Sequence, residues 1–171
     1  MTRPQSDEYA GFFSRYVDQV PDGDIVAQLE SQGNTTQQLL ASLDEERGKY
    51  RYAPDKWSVK QMVGHIADSE RVFAYRLMAI ARGEKQSLPG FEENEYVENA
   101  NFDERSLAEL AEALAATRRA TLALVRGLDD AAWNRRGLAN NNSVSVRALA
   151  WVTAGHERHH LNVLRERYGI G

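Results

Sequence analysis

The chain has no cysteine, which excludes disulfides, cysteine-based zinc fingers and iron–sulfur ligation. It has only four prolines in 171 residues, so few points force a helix to stop. No stretch approaches the roughly 20 consecutive apolar residues of a membrane span. Positive charge is not in excess. Lys and Arg number 21 against 25 Asp and Glu, for a formal charge of −4, and no long basic run occurs. That balance argues against a protein built mainly to bind nucleic acid. The first residues, Met1-Thr2-Arg3-Pro4-Gln5, lack the apolar core of a secretion signal. With no cysteine to oxidise, a cytoplasmic location is the expectation, without membrane or nucleic-acid partners.

What the chain does have is Ala, Leu and Glu in a pattern that favours an all-α fold. Residues 24–47 place Ile25, Leu29, Thr36, Leu40 and Leu43 at helical spacing, with Asp22 or Asp24 as a start signal; Gly33 and Asn34 weaken the middle. Residues 58–82 open with Ser58 and Gln61 as a capping box and Trp57 and Met62 as a hydrophobic staple. Met62, Ile66, Phe73, Leu77 and Ile80 then share a stripe, and Gly83 ends it. Residues 106–128 begin with a second box, Ser106 and Glu109. Leu107, Leu110, Leu114, Thr117, Thr121, Leu124 and Leu128 then make a bundle seam. Residues 143–168 start near Ser143 or Ser145, align Val146, Leu149, Thr153, Val163 and Leu164, and stop at Gly169.

Four such helices predict a four-helix bundle, read as one domain over 1–171 with an N-terminal extension, 1–21. No segment alternates with the period of two that marks a strand. The connection 83–105 exceeds a hairpin turn and carries Pro89-Gly90-Phe91 and an acidic run from Glu92 to Glu98; such loops either cross a bundle or serve a site. Residues 129–142 read as a short turn of helix and a loop, with Trp133 as a packing anchor.

Only four histidines occur, three of them in His156-Glu157-Arg158-His159-His160. A helix turns about 100° per residue, so with Leu149 at zero His156 lies at about −20° and His160 at about +20°. Both sit at the centre of the apolar stripe. His65 lies at about −60° from Met62, on the edge of its own stripe near Ser69 and Arg76, and His159 at about −80°, on a margin. Two imidazoles buried side by side need something to satisfy them, and a divalent metal would do so. A third from a facing helix would leave coordination positions for water or substrate, the pattern of a catalytic site. The competing reading makes them hydrogen-bonded core residues of a metal-free helical dimer.

The string His156-Glu157-x-x-His160 also spells the zinc-protease motif. Only eleven residues follow His160, and the metzincin glycine position is Val163. A protease is therefore not expected. A di-iron carboxylate bundle needs two Glu-x-x-His pairs, and the chain has one.

Taken together, these strings resemble the DinB/YfiT-like superfamily, the damage-inducible family rather than the DNA polymerase of the same name. The resemblance runs from about Asp24 to Tyr168. It rests on Trp57-Ser58-Val59-Lys60, on Gly64-His65-Ile66-Ala67-Asp68-Ser69-Glu70-Arg71, on Leu88-Pro89-Gly90-Phe91, and on the run from Ala154 through His156 and His160 to Leu164. It implies a four-helix bundle with a long crossover between the second and third helices, and homodimers formed through helix faces. It implies a divalent metal, commonly nickel or zinc, held by one His of the second helix and two of the fourth, here His65, His156 and His160. The implied activities are metal-dependent hydrolysis and transfer of low-molecular-weight thiols such as bacillithiol or mycothiol, with a small-molecule substrate; a non-catalytic, stress-related scaffold with a structural metal is the alternative. Glu157 and Asp68 are candidates to orient a ligand His, His159 is expected on the surface or beside the ligands, and Phe91 and Tyr96 are expected at the pocket mouth.

Overall fold

The four periodic segments become four long helices in the computed structural model, which describes residues 2–171. Two 3-10 turns (Ser6–Glu8 and Gly11–Phe13) lead into a single helical turn, α1 (Ser14–Val17). The long helices are α2 (Ile25–Ala41), α4 (Val59–Ala81), α6 (Leu107–Arg126) and α8 (Val146–Tyr168). Short helices α3 (Glu45–Lys49), α5 (Glu93–Asn99) and α7 (Asp130–Trp133) lie in the connections. Both capping boxes form, Ser58 with Gln61 and Ser106 with Glu109. Asp24 caps α2, accepting from the Val26 amide at 2.9 Å.

The first segment departs from its expected length. It breaks at Ser42, and Asp44 opens α3 by accepting the Arg47 amide at 2.8 Å, so a local side-chain bond outcompetes helix continuation. Gly33 does not interrupt α2. A Cβ there would sit 3.1 Å from Arg118 Cγ, so the glycine lets α6 approach closely.

Around the bundle the order is α2, α6, α4, α8, closing back on α2. Side-chain bonds give the directions. Ser58, which caps α4, donates to Asp103 just before α6, so α4 and α6 start side by side and run parallel. Tyr168 at the end of α8 donates to the Trp57 carbonyl, so α8 is antiparallel to α4. Arg126, near the end of α6, pairs with Glu30 near the start of α2, so these two are antiparallel. The chain therefore runs up, down, down, up, and residues 82–106 are the crossover that two parallel neighbours require.

Residues 129–142 hold more than the expected loop. Strands β1 (Arg136–Ala139) and β2 (Asn142–Ser145) pair antiparallel, with Ala139 opposite Asn142. The two-residue turn puts Asn140 and Asn141 at φ 48° and 60°, the left-handed pair that a type I′ hairpin needs and that asparagine tolerates. Four-residue strands are too short to show a period of two. The hairpin also holds the crossover: Leu88 donates to the Leu138 carbonyl and accepts from the Asn140 amide. Trp133 is buried, as a packing anchor should be.

Two apolar clusters fill the interior, one containing Trp151, Leu149 and Leu77, the other Ile66, Leu110 and Leu164. Buried polar residues from all four long helices lie between them, including His65, Glu70, Thr36, Arg118, Glu157 and His156. Tyr16 and Val17 of α1 complete the first cluster. The chain comes this close because of Gly155, where a Cβ would lie 2.1 Å from the Tyr16 carbonyl oxygen.

Candidate metal centre

His65 projects from the second turn of α4, a helix started by the Ser58 cap, and His156 and His160 project one turn apart from α8, started by the Ser145 cap. Because α8 packs antiparallel on α4, the three Nε2 atoms converge. Their separations are 3.1 Å (His65–His156), 3.2 Å (His65–His160) and 3.1 Å (His156–His160). All three residues are buried. The edge position of His65 on its own stripe is what aims it across the helix interface.

Three nitrogens facing one another cannot all be hydrogen-bonded. Each Nε2 is either a donor or an acceptor, and in a triangle two corners must share a role, so at least one contact is unfavourable. Burial and the neighbouring His159 push the pKa of His65 down to about 4, and burial with the facing rings holds His156 and His160 well below the usual imidazole range. Neutral imidazole is the metal-ligating form. Nitrogens bonded at about 2.0–2.1 Å to one ion lie about 2.9–3.4 Å apart, the range seen here. A cation satisfies all three nitrogens at once, so the residues fit the group. Among the described residues no other His, Asp or Glu joins this cluster.

Aromatic packing orients the rings. Trp57 lies 4.7 Å from His65 between centroids, while Tyr16 and Phe73 meet His156 edge-on at 5.3 and 5.4 Å. Carboxylates do not. Asp68 pairs with Arg71 at 2.6 Å, and Glu157 turns away from the histidines. Glu157 accepts from Thr36 at 2.5 Å, from Arg118 at 2.7 Å, and from Gln32. Arg118 also donates twice to Glu70, at 2.8 and 2.7 Å. Neither candidate therefore orients a ligand His, and this buried network was not foreseen. Its one signal was Arg118 standing four residues after Leu114 and three before Thr121, at the edge of a core stripe. His159 is half-buried against Tyr16 and outside the cluster. Phe91 and Tyr96 pack on each other at 5.3 Å and line a cavity that contains none of the three histidines.

The fold and the site together define an up-down-down-up four-helix bundle with a buried three-histidine group suited to a divalent metal ion. Residues 28–164 match the DinB superfamily, and the chain belongs to that family. It is similar to a protein of Oceanobacillus iheyensis that carries the provisional name of a metal-dependent hydrolase, at 29% identity over 69 residues; the match spans 40% of either chain. Its fold is that of YfiT from Bacillus subtilis, described as a probable metal-dependent hydrolase with an unusual four-helix-bundle topology: TM-score 0.75, 19% identity, 86% of this chain and 87% of that one. A mycothiol-dependent maleylpyruvate isomerase superposes with TM-score 0.67 at 13% identity, over 85% of this chain and 61% of the isomerase. No helix among the described residues is long and apolar enough to cross a membrane.

Proposed function

We propose that the chain is a metal-dependent enzyme whose His65, His156 and His160 hold one divalent ion, and that it acts on a small molecule by hydrolysis or by transfer of a low-molecular-weight thiol. The observation that carries this reading is the convergence of three buried, neutral Nε2 atoms with no fourth ligand beside them among the described residues. A structural site closes its coordination with protein groups; a site that leaves it open accepts water or substrate. When bound, such an ion lowers the pKa of a coordinated water or thiol and polarises a substrate oxygen. Nickel and zinc both suit imidazole nitrogen.

The chain's own part is positional. The aromatic rings of Trp57, Tyr16 and Phe73 hold the imidazoles and exclude water from their flanks. Thiol transfer has one specific observation in its favour, the fold shared with an isomerase named for its use of mycothiol. Protein purified without a histidine tag tests the reading. One equivalent of metal per chain in wild type, lost in His65→Ala with the helical fold retained, is expected. Ester hydrolysis and conjugation of small thiols to an electrophile then separate the two reactions. Wild-type activity in a folded His156→Ala variant would exclude the site.

A further inference from the structure

Arg76 stands apart from Arg118, the other arginine that is buried among the described residues. Arg118 is paired with Glu70 and Glu157, and the half-buried Arg147 with Glu8. Arg76 is 5% exposed and forms no ion pair among the described residues. A guanidinium has five N–H donors. The described residues supply one acceptor, the Pro89 carbonyl, at 2.6 Å, and the Phe91 ring lies 5.9 Å away. Burial pulls its pKa below the usual value and nothing nearby raises it, yet an arginine stays protonated. The other N–H groups have no acceptor among the described residues yet are not sealed from solvent, so they open on the cavity rather than into the core. A mostly covered charge that is still reachable marks a place where a ligand can supply the missing partner.

The surroundings say what that ligand is. A cavity of about 270 Å³ lies between α4 and the crossover, lined by Arg76, Arg71, Tyr75, Leu88, Phe91 and Tyr96 among others. Arg71 is already neutralised by Asp68 at 2.6 Å. One uncompensated positive charge therefore faces walls that are mostly aromatic and aliphatic. The complementary ligand carries a single negative charge on a compact apolar body. The planar fork of a guanidinium matches a carboxylate in two parallel hydrogen bonds.

We propose that this cavity binds the carboxylate of a small apolar or aromatic acid, with Arg76 as the residue that recognises it. Arg76 follows His65 by eleven residues, so it returns to within about 20° of the same helix face, about 16 Å along α4. Its side chain leans back toward the N-terminus of α4, and so toward His65. Between them Ser69 is buried, its hydroxyl without a partner among the described residues. The proposal extends the metal-site reading by giving the substrate an anionic end, but binding here requires no metal.

Benzoate and its neutral isostere benzamide are the probes, titrated into EDTA-treated wild type and into His156→Ala, with backbone amide NMR as the readout. Benzoate is expected to shift the signals of Gly90, Phe91 and Tyr96 and to saturate in both proteins, and benzamide to bind about tenfold more weakly or not at all. Arg76→Met should abolish the preference, and Arg76→Lys should keep a weakened one. Equal binding of the two probes, unchanged benzoate binding in Arg76→Met, or no shift below about 10 mM would overturn the proposal. So would shifts centred on the histidines that vanish in His156→Ala. If Arg76→Met fails to fold, the benzoate-to-benzamide ratio and the location of the shifts in wild type decide. Failure of the metal reading would leave benzoate binding intact, so the two can fail separately.

Discussion

Replacing Glu157 separates two accounts of the last helix. If the His-Glu-x-x-His string acted as in a zinc protease, Glu157 would be a base, and its loss would cost activity and little stability. The structure puts it instead in a buried network, 2% exposed, accepting from Thr36, Arg118 and Gln32. Glu157→Ala takes an acceptor from each of the three donors: Thr36 loses its partner, while Gln32 keeps the Ala154 carbonyl. Breaking a buried ion pair costs about 3–5 kcal/mol. Arg118 keeps Glu70, which places the loss near the lower end, at about 3 kcal/mol. Glu157→Gln keeps the shape but offers one oxygen where the carboxylate offered two, and sets an amide N–H against one of the three donors. That costs about 1–2 kcal/mol. For a chain of this size about 1 kcal/mol moves Tm by roughly 2–4 °C. Circular dichroism melts should therefore show a drop of roughly 6–12 °C for the alanine and roughly 2–8 °C for the glutamine variant. Metal content should stay at the wild-type level in both, because no histidine touches the network. A Glu157→Gln protein with wild-type Tm and bound metal but no activity would refute this assignment.

Three further outcomes are expected. Nickel or zinc added to metal-free protein should raise Tm by scanning fluorimetry, with no rise in His65→Ala; ligand at about 100 times its Kd stabilises by about 2.7 kcal/mol. In metal-free protein His65 titrates near 4 and its two partners are also depressed, so the unfolded chain takes up protons near 6.5 that the folded chain does not. Stability is then full above about pH 6.5 and falls as pH drops toward 4; a urea midpoint that stays flat between pH 7 and 5 would contradict this. Gly155→Ala puts a Cβ 2.1 Å from the Tyr16 carbonyl oxygen, a backbone atom that cannot swing aside, so α1 must leave α8 at a cost of about 3 kcal/mol or more, read as a lower urea midpoint.

Much of the bundle was legible because its helices carry one dominant stripe each. Ser58, Ser106 and Asp24 began their helices as their side chains dictated, and a wheel sufficed to point His156 and His160 inward. The break at Ser42 was not legible, since Leu40 and Leu43 keep the period across it and only the Asp44 side chain decides. The hairpin was hidden by strands of four residues, although Asn140-Asn141 carried the turn chemistry openly. Arg118, Glu70 and Gln32 were missed for a different reason. A wheel gives the direction of a side chain but not its neighbour, and charges at a stripe edge ordinarily face solvent.

That last point bears on how Glu157 and the histidines share a helix. α8 is buried on more than one side: α4 packs on one flank, α1 on another and α2 on a third. Residues i and i+4 point within about 40° of each other, whereas i+1 points about 100° away. His156 and His160 therefore meet α4, while Glu157 between them meets Thr36 and Gln32 of α2 and Arg118 of α6. On a surface helix a charged residue at that position would face water and carry no message. Here each angular sector has its own partner, so five consecutive letters encode two sites that share no atom. The spacing of the histidines brings two nitrogens of α8 to one nitrogen of α4, and the glutamate follows from an arginine of α6 that meets a different face of α8.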